Sequence, residues 1–454
     1  MTWEKSDEQH KGTILSAAAL STLNRPSDPV VLTGALIPSL KGISPNNLAA
    51  FKYGDSWQQI PVQVDERVNV DLGKVYNSSP VGLVVLTYAD SNTWTGPDSD
   101  PMLDDDDEIA FMAKDAGNQP LSFSEPAGVI ANSGIEVKIT DPLDTAQTGY
   151  VYLFRQAGGL DPAAGKNYVQ YNFVLLSGNY KTTYKLSKGP NPEASSASSA
   201  YYRLGFIDRW INNELRIKAG GATGVDIFDR EKVGVAPNNC FRSETTFSKS
   251  RGAFIVNKSG PVRGIRAYLG ANSGPYTQRQ HVFYERRQDL TLYHRVHEIG
   301  SSFNFFDYSP EGIGLKYYNN VNPGGVIIDG APDVVATKQA GWEMVVGLQG
   351  SMVMSNRIET DIPSLAVISY YLDDETPSQK QCTGDSFAYG ISGPWALGIP
   401  CTDPTKPLSS CPNPAKLTGY RTIYYESPGL AVSDAQQRDS LARNPLTFTF
   451  VLWR

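Results

Sequence analysis

Short runs of apolar, β-branched and aromatic residues, each stopped by Gly, Pro, Asn or Ser, recur from end to end and restrict this chain to an all-β fold. From Asp28 onward come PVVLTGALI, NLAAFKY, WQQIPVQVDERV, VGLVVLTYA, DEIAFMAK, IEVKITD and GYVYLFRQ. Past residue 167 the pattern resumes with YVQYNFVLLSG, ELRIKAG, GVDIFDREKVGV, WEMVVGLQGSMVMS and LTFTFVLWR, at spacings typical of a large sandwich. Forty-one glycines, thirty prolines and twenty-four tyrosines in 454 residues favour strands and tight turns over helices. The best helix candidates are SDAQQRDSLAR (433–443) and GFIDRWINNEL (205–215). No repeat of fixed period argues for a propeller or a solenoid.

A chain of 454 residues exceeds one ordinary core, so two domains are expected. Residues 1–25 read as a flexible lead-in and 26–157 as a small β-barrel domain. GGLDPAAGKN (158–167) reads as a linker, and 168–454 as a large antiparallel β-sandwich or supersandwich. GPNPEASSASSA (189–200) has the composition of an exposed, mobile loop. A net charge of −7 argues against nucleic acid as partner. No apolar run approaches the ~20 residues needed to cross a bilayer. The start, MTWEKSDEQHKGT, lacks the basic and apolar regions of a signal peptide, and its methionine is read as replacing a removed leader. Four cysteines, Cys240, Cys382, Cys401 and Cys411, fit two disulfides in an oxidising compartment, with three connectivities open. The expected location is therefore secreted, periplasmic or at the cell surface. No CxxC or clustered Cys/His spacing suggests zinc.

RQHVFYERRQDLTLYHRVHEIG (279–300) holds three of the four histidines. A turn at Arg287-Gln288 would set His281 directly opposite His294. His281, His294, Arg279, Phe283 and Glu285 would then share one face, and Tyr284, Tyr293, Arg295 and His297 the other. These residue types suit proton abstraction α to the carboxyl group of a uronic acid, followed by β-elimination. His281 and His294 would act as base or acid, Tyr284 or Tyr293 as proton partner, and Arg279 or Arg295 as carboxylate clamp. Arg263 and Arg266 would complete the substrate contacts. The same two imidazoles could instead hold copper or zinc with a third ligand, giving a metal-dependent oxidase. The plain alternative is a sheet of cross-strand polar and aromatic pairs.

The run PDSDPMLDDDDEIAF (97–111) concentrates carboxylates just before an apolar strand. Such density repels itself unless cations sit in it, and calcium suits it, with Asp98, Asp100, Asp104, Asp106 and Glu108 as ligands in a structural role. The alternative is a solvated acidic loop. Trp94 and Trp395, each beside Gly or Pro, are the tryptophans expected to be exposed and to stack on sugar. GxSxG, a phosphate loop, GxGxxG before a helix and HExxH do not occur, which disfavours serine hydrolases, nucleotide enzymes and zincins.

Two stretches carry a resemblance. Ile60–Glu66 (IPVQVDE) and Asp107–Ala113 (DEIAFMA) are similar to strands of the small RIFT barrel at the N-terminus of exo-rhamnogalacturonan-lyase-like secreted proteins. SGPVRGIRAYLG (259–270) resembles a strand of galactose-mutarotase-like supersandwiches. The resemblance implies a small barrel followed by a supersandwich. Those lyases place an α/α-barrel between their β domains, and no segment here is long or helical enough to supply one. The expectation is a secreted carbohydrate-active enzyme, most concretely a polysaccharide lyase acting on an acidic glycan, with a polysaccharide or oligosaccharide as partner. The alternative from another class is a non-catalytic glycan-binding or structural extracellular protein.

Overall fold

Strands alternate one side chain to each face, and a strand buried on both faces carries apolar or paired side chains at almost every position. Ile265 through Leu269 and Phe303 through Tyr308 are of this kind. The computed structural model describes residues 19–121, 124–177, 192–236, 252–270, 274–295, 301–362, 365–376, 387–397 and 416–453. All four cysteines, and with them the expected disulfides, lie outside the described residues, as does His297.

The architecture is all-β, built from antiparallel sheets. Its centre is a nine-stranded sheet in the spatial order Gly252–Ser259, Gly264–Gly270, Thr277–Phe283, Arg287–His294, Leu417–Glu426, Gly350–Thr360, Trp342–Gly347, Lys316–Asn319 and Asn322–Ile327. Two four-stranded sheets supply the opposing layer. One runs Gln170–Asn172, Ser195–Ser198, Tyr202–Asp208, Ile211–Ile217; the other runs Phe228–Ala236, Ser301–Tyr308, Ala388–Leu397, Ala366–Asp374. Phe206, Phe283, Phe306, Tyr317, Met352, Met354 and Tyr425 share the core between these layers.

Against the outer face of the large sheet lie the N-terminal strands. Pro29–Thr33, Glu108–Met112 and Gln63–Asp65 form a three-stranded sheet, and Leu48–Tyr53, Trp57–Ile60, Gly134–Asp141 and Asp144–Arg155 belong to a five-stranded one. The two enclose a core of Val30, Leu32, Ile109, Phe111, Val137 and Leu153. The fifth strand is the end of the chain: Thr447–Trp453 pairs with Gly134–Asp141, returning the C-terminus to the first unit.

Four local expectations meet different outcomes. SDAQQRDSLAR lies in the helix Val432–Arg443. GFIDRWINNEL is not helical. It forms the hairpin Tyr202–Asp208 and Ile211–Ile217, whose turn is fixed by Asp208 accepting from the Trp210 N–H at 3.2 Å. Within GPNPEASSASSA, Ser195–Ser198 is a strand rather than a mobile loop, because its backbone pairs with a strand on each side. The fourth outcome concerns the histidine hairpin. Its turn is Glu285-Arg286, closed by the Tyr284 N–H donating to the Arg287 carbonyl at 2.8 Å. His281 therefore lies opposite Leu290, and His294 opposite Thr277. The expected His281–His294 pairing is corrected by this register. Both registers keep every side chain on the same face, so burial cannot choose between them. Charged contacts from elsewhere in the fold favour the observed turn: Glu285 pairs with Lys114, the Arg286 guanidinium lies 4.2 Å over the Tyr201 ring, and Arg287 pairs with Asp28 at 2.8 Å.

Candidate functional site

The inner face of the large sheet carries His281, His294, Arg279 and Arg266, all four of them buried. His281 has no exposed surface. The Gln288 amide donates to its Nδ1 at 3.0 Å, which leaves the proton on Nε2, 3.0 Å from the Tyr268 hydroxyl. Burial first, then the charges of Arg279 and Arg266, hold its pKa well below the usual histidine value, so the ring stays neutral. His294 is also buried, with Nε2 2.9 Å from Ser302 Oγ. The two rings share a face but stand four residues out of register, roughly 13 Å along the strands. Among the described residues, no grouping suited to a metal includes either of them.

The arginines of this face are closed by carboxylates. Arg266 makes a two-pronged contact with Glu193 at 2.6 and 2.9 Å. Arg279 pairs with Glu231, and Arg421 with Glu343 at 2.9 Å. Arg263 bonds Asp65 and Glu108, each at 2.8 Å, between the large sheet and the three-stranded one. Tyr284 is buried in that same interface. Arg263 and Arg266, expected to touch substrate, therefore hold the fold together. Trp94 and Trp395 are half-buried rather than exposed, Trp94 packed on the interface core and Trp395 on Phe303, Phe305 and Tyr370.

The outer face is different. Arg287, Asp289, Thr291 and Tyr293 alternate outward on one strand; Thr418, Tyr420 and Thr422 do so on the next, with Thr291 opposite Tyr420 and Tyr293 opposite Thr418. Ser355, Arg357 and Glu359 continue the row on a third strand. The segment Val81–Leu83 borders one end of this furrow, and the helix Val432–Arg443 brings Arg443 to the other. A cleft of about 400 Å³ opens at the first end, lined by Tyr276, Tyr293, Arg295, Lys416 and Thr418 among others. A second, of about 240 Å³, includes Arg287, Asp289, Arg357, Tyr420 and Arg443. A third, of about 690 Å³, continues past Arg357 and Arg443 to Trp342 and Gln339.

Most cations of the furrow are compensated. Arg287 pairs with Asp28 and Asp289, Arg443 with Asp439 and Arg357 with Glu359. Arg357 also lies 4.1 Å over the Tyr420 ring, whose hydroxyl donates to Glu359 at 3.0 Å. Arg295 and the exposed Lys416 are the exceptions, and the partly buried one is Arg295. It lies 4.6 Å over the Tyr293 ring and donates to Gln278 at 2.7 Å, and among the described residues no carboxylate meets it. Burial lowers its pKa, with Tyr293 opposing, and burial raises that of Tyr293, with Arg295 opposing. Tyr293 and Arg295 are thus expected site residues that the fold brings together in an open cleft, and the lining of that cleft also includes the buried His294. Arg357, Tyr420, Arg443 and Lys416 went unread in the sequence. A signal existed for two of them, in the outward alternation of Arg357 with Glu359 and of Thr418 with Tyr420 on otherwise buried strands.

The acidic loop sorts its carboxylates. Glu108 is engaged by Arg67 at 3.0 Å, Arg263 at 2.8 Å and the Tyr88 hydroxyl at 2.8 Å. Asp100 is exposed and accepts from its own turn, from the Met102 N–H. Neither belongs to a metal-sized grouping. Asp104, Asp106 and Asp107 do, as do Glu66, Asp98 and Asp107, with oxygens in each set within 4.8 Å of one another. Burial, then the charges of Asp107 and Asp98, push the Glu66 carboxyl up to about 7.

No family model and no curated protein matches this chain. Among solved structures it is similar to an alpha-mannosidase from Enterococcus faecalis, at 7% identity over 96% of this chain and 46% of that one, with a TM-score of 0.44. A family GH92 alpha-mannosidase from Bacteroides thetaiotaomicron aligns over 61% of this chain and 31% of its own, at 8% identity and a TM-score of 0.28. A GalM/aldose epimerase homologue from C. elegans aligns over 57% of this chain and all of its own, at 6% identity and a TM-score of 0.30. The chain spans less than half the length of either mannosidase.

Proposed function

We propose that this protein binds an acidic polysaccharide or oligosaccharide along the outer furrow of the nine-stranded sheet, as a secreted or surface carbohydrate-active protein. The observation that carries the reading is Arg295: a partly desolvated guanidinium, stacked on Tyr293, opening into a cleft without a carboxylate from the described residues. A guanidinium fork matches a carboxylate at two oxygens, and desolvation strengthens the contact. The tyrosine and threonine hydroxyls of the furrow suit sugar hydroxyls, and the ring of Tyr293 offers an apolar wall. The test is binding of a polyuronate and of a neutral glucan by calorimetry. The polyuronate should bind, and the neutral glucan should bind much more weakly. Equal affinity for both would overturn the reading.

A second reading rests on the adjacency of Tyr293 and Arg295. In β-elimination, Arg295 would neutralise the uronate carboxylate, Tyr293 as its phenolate would take the proton α to that carboxyl, and the phenol would return a proton to the leaving glycosidic oxygen as the C–O bond breaks to leave an unsaturated sugar. Incubation with polyuronates while following ultraviolet absorbance tests this. Growth of absorbance that Tyr293→Phe abolishes supports it, whereas binding without any growth leaves a non-catalytic binding protein.

A further inference from the structure

The carboxylates facing Glu66 are short of compensating charge. Asp107 has no exposed surface; its Oδ1 accepts from the Arg67 N–H and its Oδ2 from the Asp104 N–H, each at 2.9 Å. Asp104 accepts from the Asp106 N–H at 3.0 Å. Nothing comparable reaches Glu66. Both of its carboxylate oxygens are shut off from solvent and accept no hydrogen bond, and Asp106 Oδ1 shares that condition. Of the cations nearby, Arg67 is committed to Glu108, and Lys258, 3.8 Å from Asp65, is the one whose charge also acts on Glu66 without bonding it. A half-buried carboxylate whose two oxygens are shut off from water with no hydrogen-bond donor is unfavourable. Here it points at oxygens of Asp98 and Asp107, all within 4.8 Å.

We infer that Glu66, Asp98, Asp104, Asp106 and Asp107 form a calcium site that fastens the acidic loop to the three-stranded sheet. The donors are all carboxylate oxygens, from two segments of chain, Glu66 between the strands Gln63–Asp65 and Arg67–Asp71 and the rest from the loop before Glu108. Calcium accepts six to eight such oxygens in flexible geometry, whereas magnesium demands a near-octahedral set and keeps its waters. Zinc and copper sites are usually built with nitrogen or sulfur donors, and none is in the grouping. The site goes beyond the glycan reading and does not depend on it. Its neighbour Glu108 holds Arg263 of the large sheet, so the ion would also steady that junction.

The experiment uses the full chain, stripped with a chelator and dialysed. Equilibrium dialysis with calcium should show one tight ion per chain, and calcium should raise the thermal midpoint while equimolar magnesium raises it far less. Glu66→Gln should weaken calcium binding by at least tenfold yet leave the metal-free protein at least as stable as the parent, since it removes a charge that no donor bonds. Asp98→Asn, on a more exposed ligand, should also weaken binding, and Asp100→Asn should not. Absence of calcium binding overturns the site. So does binding that Glu66→Gln and Asp98→Asn leave unchanged, because the ion would then sit on other surface carboxylates.

Discussion

The two faces of the nine-stranded sheet both carry charges and use them in opposite ways. On the inner face, Arg266, Arg279 and Arg421 each meet a buried carboxylate. On the outer face, Arg357 and Arg443 are paired nearer the surface, Arg287 is paired with the buried Asp28, and Arg295 faces a cleft with only Gln278 and the Tyr293 ring. A charge that is fully answered within the fold is architecture. A charge held partly desolvated and left open is where a ligand of opposite sign gains most. The inner face is thus richer in the residue types that suggest catalysis, yet the outer face holds the usable ones.

The strongest way to break this contrast is to remove one partner of an inner pair. Arg266→Ala should lower unfolding free energy by about 3–5 kcal/mol, because Glu193 is left buried and unpaired. The double variant Arg266→Met, Glu193→Leu should recover most of that loss, since an apolar pair of similar volume avoids the desolvation cost. Urea unfolding of the three proteins decides it. If Arg266→Ala unfolds within about 1 kcal/mol of the parent, the inner charges are not the closed structural pairs described, and the contrast between the faces fails.

His281 sharpens the same contrast through pH. Its folded pKa lies below the ordinary value near 6.5, because burial and the Arg279 and Arg266 charges disfavour the imidazolium. A depressed histidine contributes stability that is fully present above about pH 6.5 and is lost as pH falls below it, when the unfolded chain takes up a proton that the fold refuses. The slope approaches about 1.4 kcal/mol per pH unit for this one group. His281→Gln should therefore unfold with a shallower acid dependence between pH 6.5 and 5, read from urea midpoints. A histidine serving as an accessible base would show instead as a pH-dependent loss of ligand affinity with little change in stability.

Much of the architecture was legible because strands announce themselves by short apolar runs between turn residues. The face assignments around His281, Phe283, Tyr293 and Arg295 also followed, since they need only the two-residue period. The register did not. Shifting the turn by two positions leaves every face intact, and neither Glu285-Arg286 nor Arg287-Gln288 carries the Gly or Asn that marks a two-residue hairpin. The contacts of Glu285, Arg286 and Arg287 with Lys114, Tyr201 and Asp28 come from segments far away in sequence, where no local pattern reaches. For the same reason Glu66 could not be recognised beside the acidic run: thirty-odd residues separate it from Asp98, and only the sheet brings them together.

The outer face supplies the smaller effects, and they should separate binding from stability. Arg295→Ala should cost roughly tenfold in polyuronate affinity, about 1.4 kcal/mol, and leave affinity for any neutral glycan unchanged. Arg295→Lys should restore only part, because an ammonium cannot hold two carboxylate oxygens at once. Arg357→Ala marks the floor of the series. Its pairing with Glu359 and its stacking on Tyr420 are solvent-exposed, so stability should move by no more than about 0.5 kcal/mol, and less still at high salt. Its effect on polyuronate binding should be smaller than that of Arg295→Ala, because Glu359 already answers its charge. Should Arg357→Ala weaken binding more than Arg295→Ala, the ligand must displace Glu359, and the centre of recognition would move from the cleft at Tyr293 to the one shared by Tyr420 and Arg443.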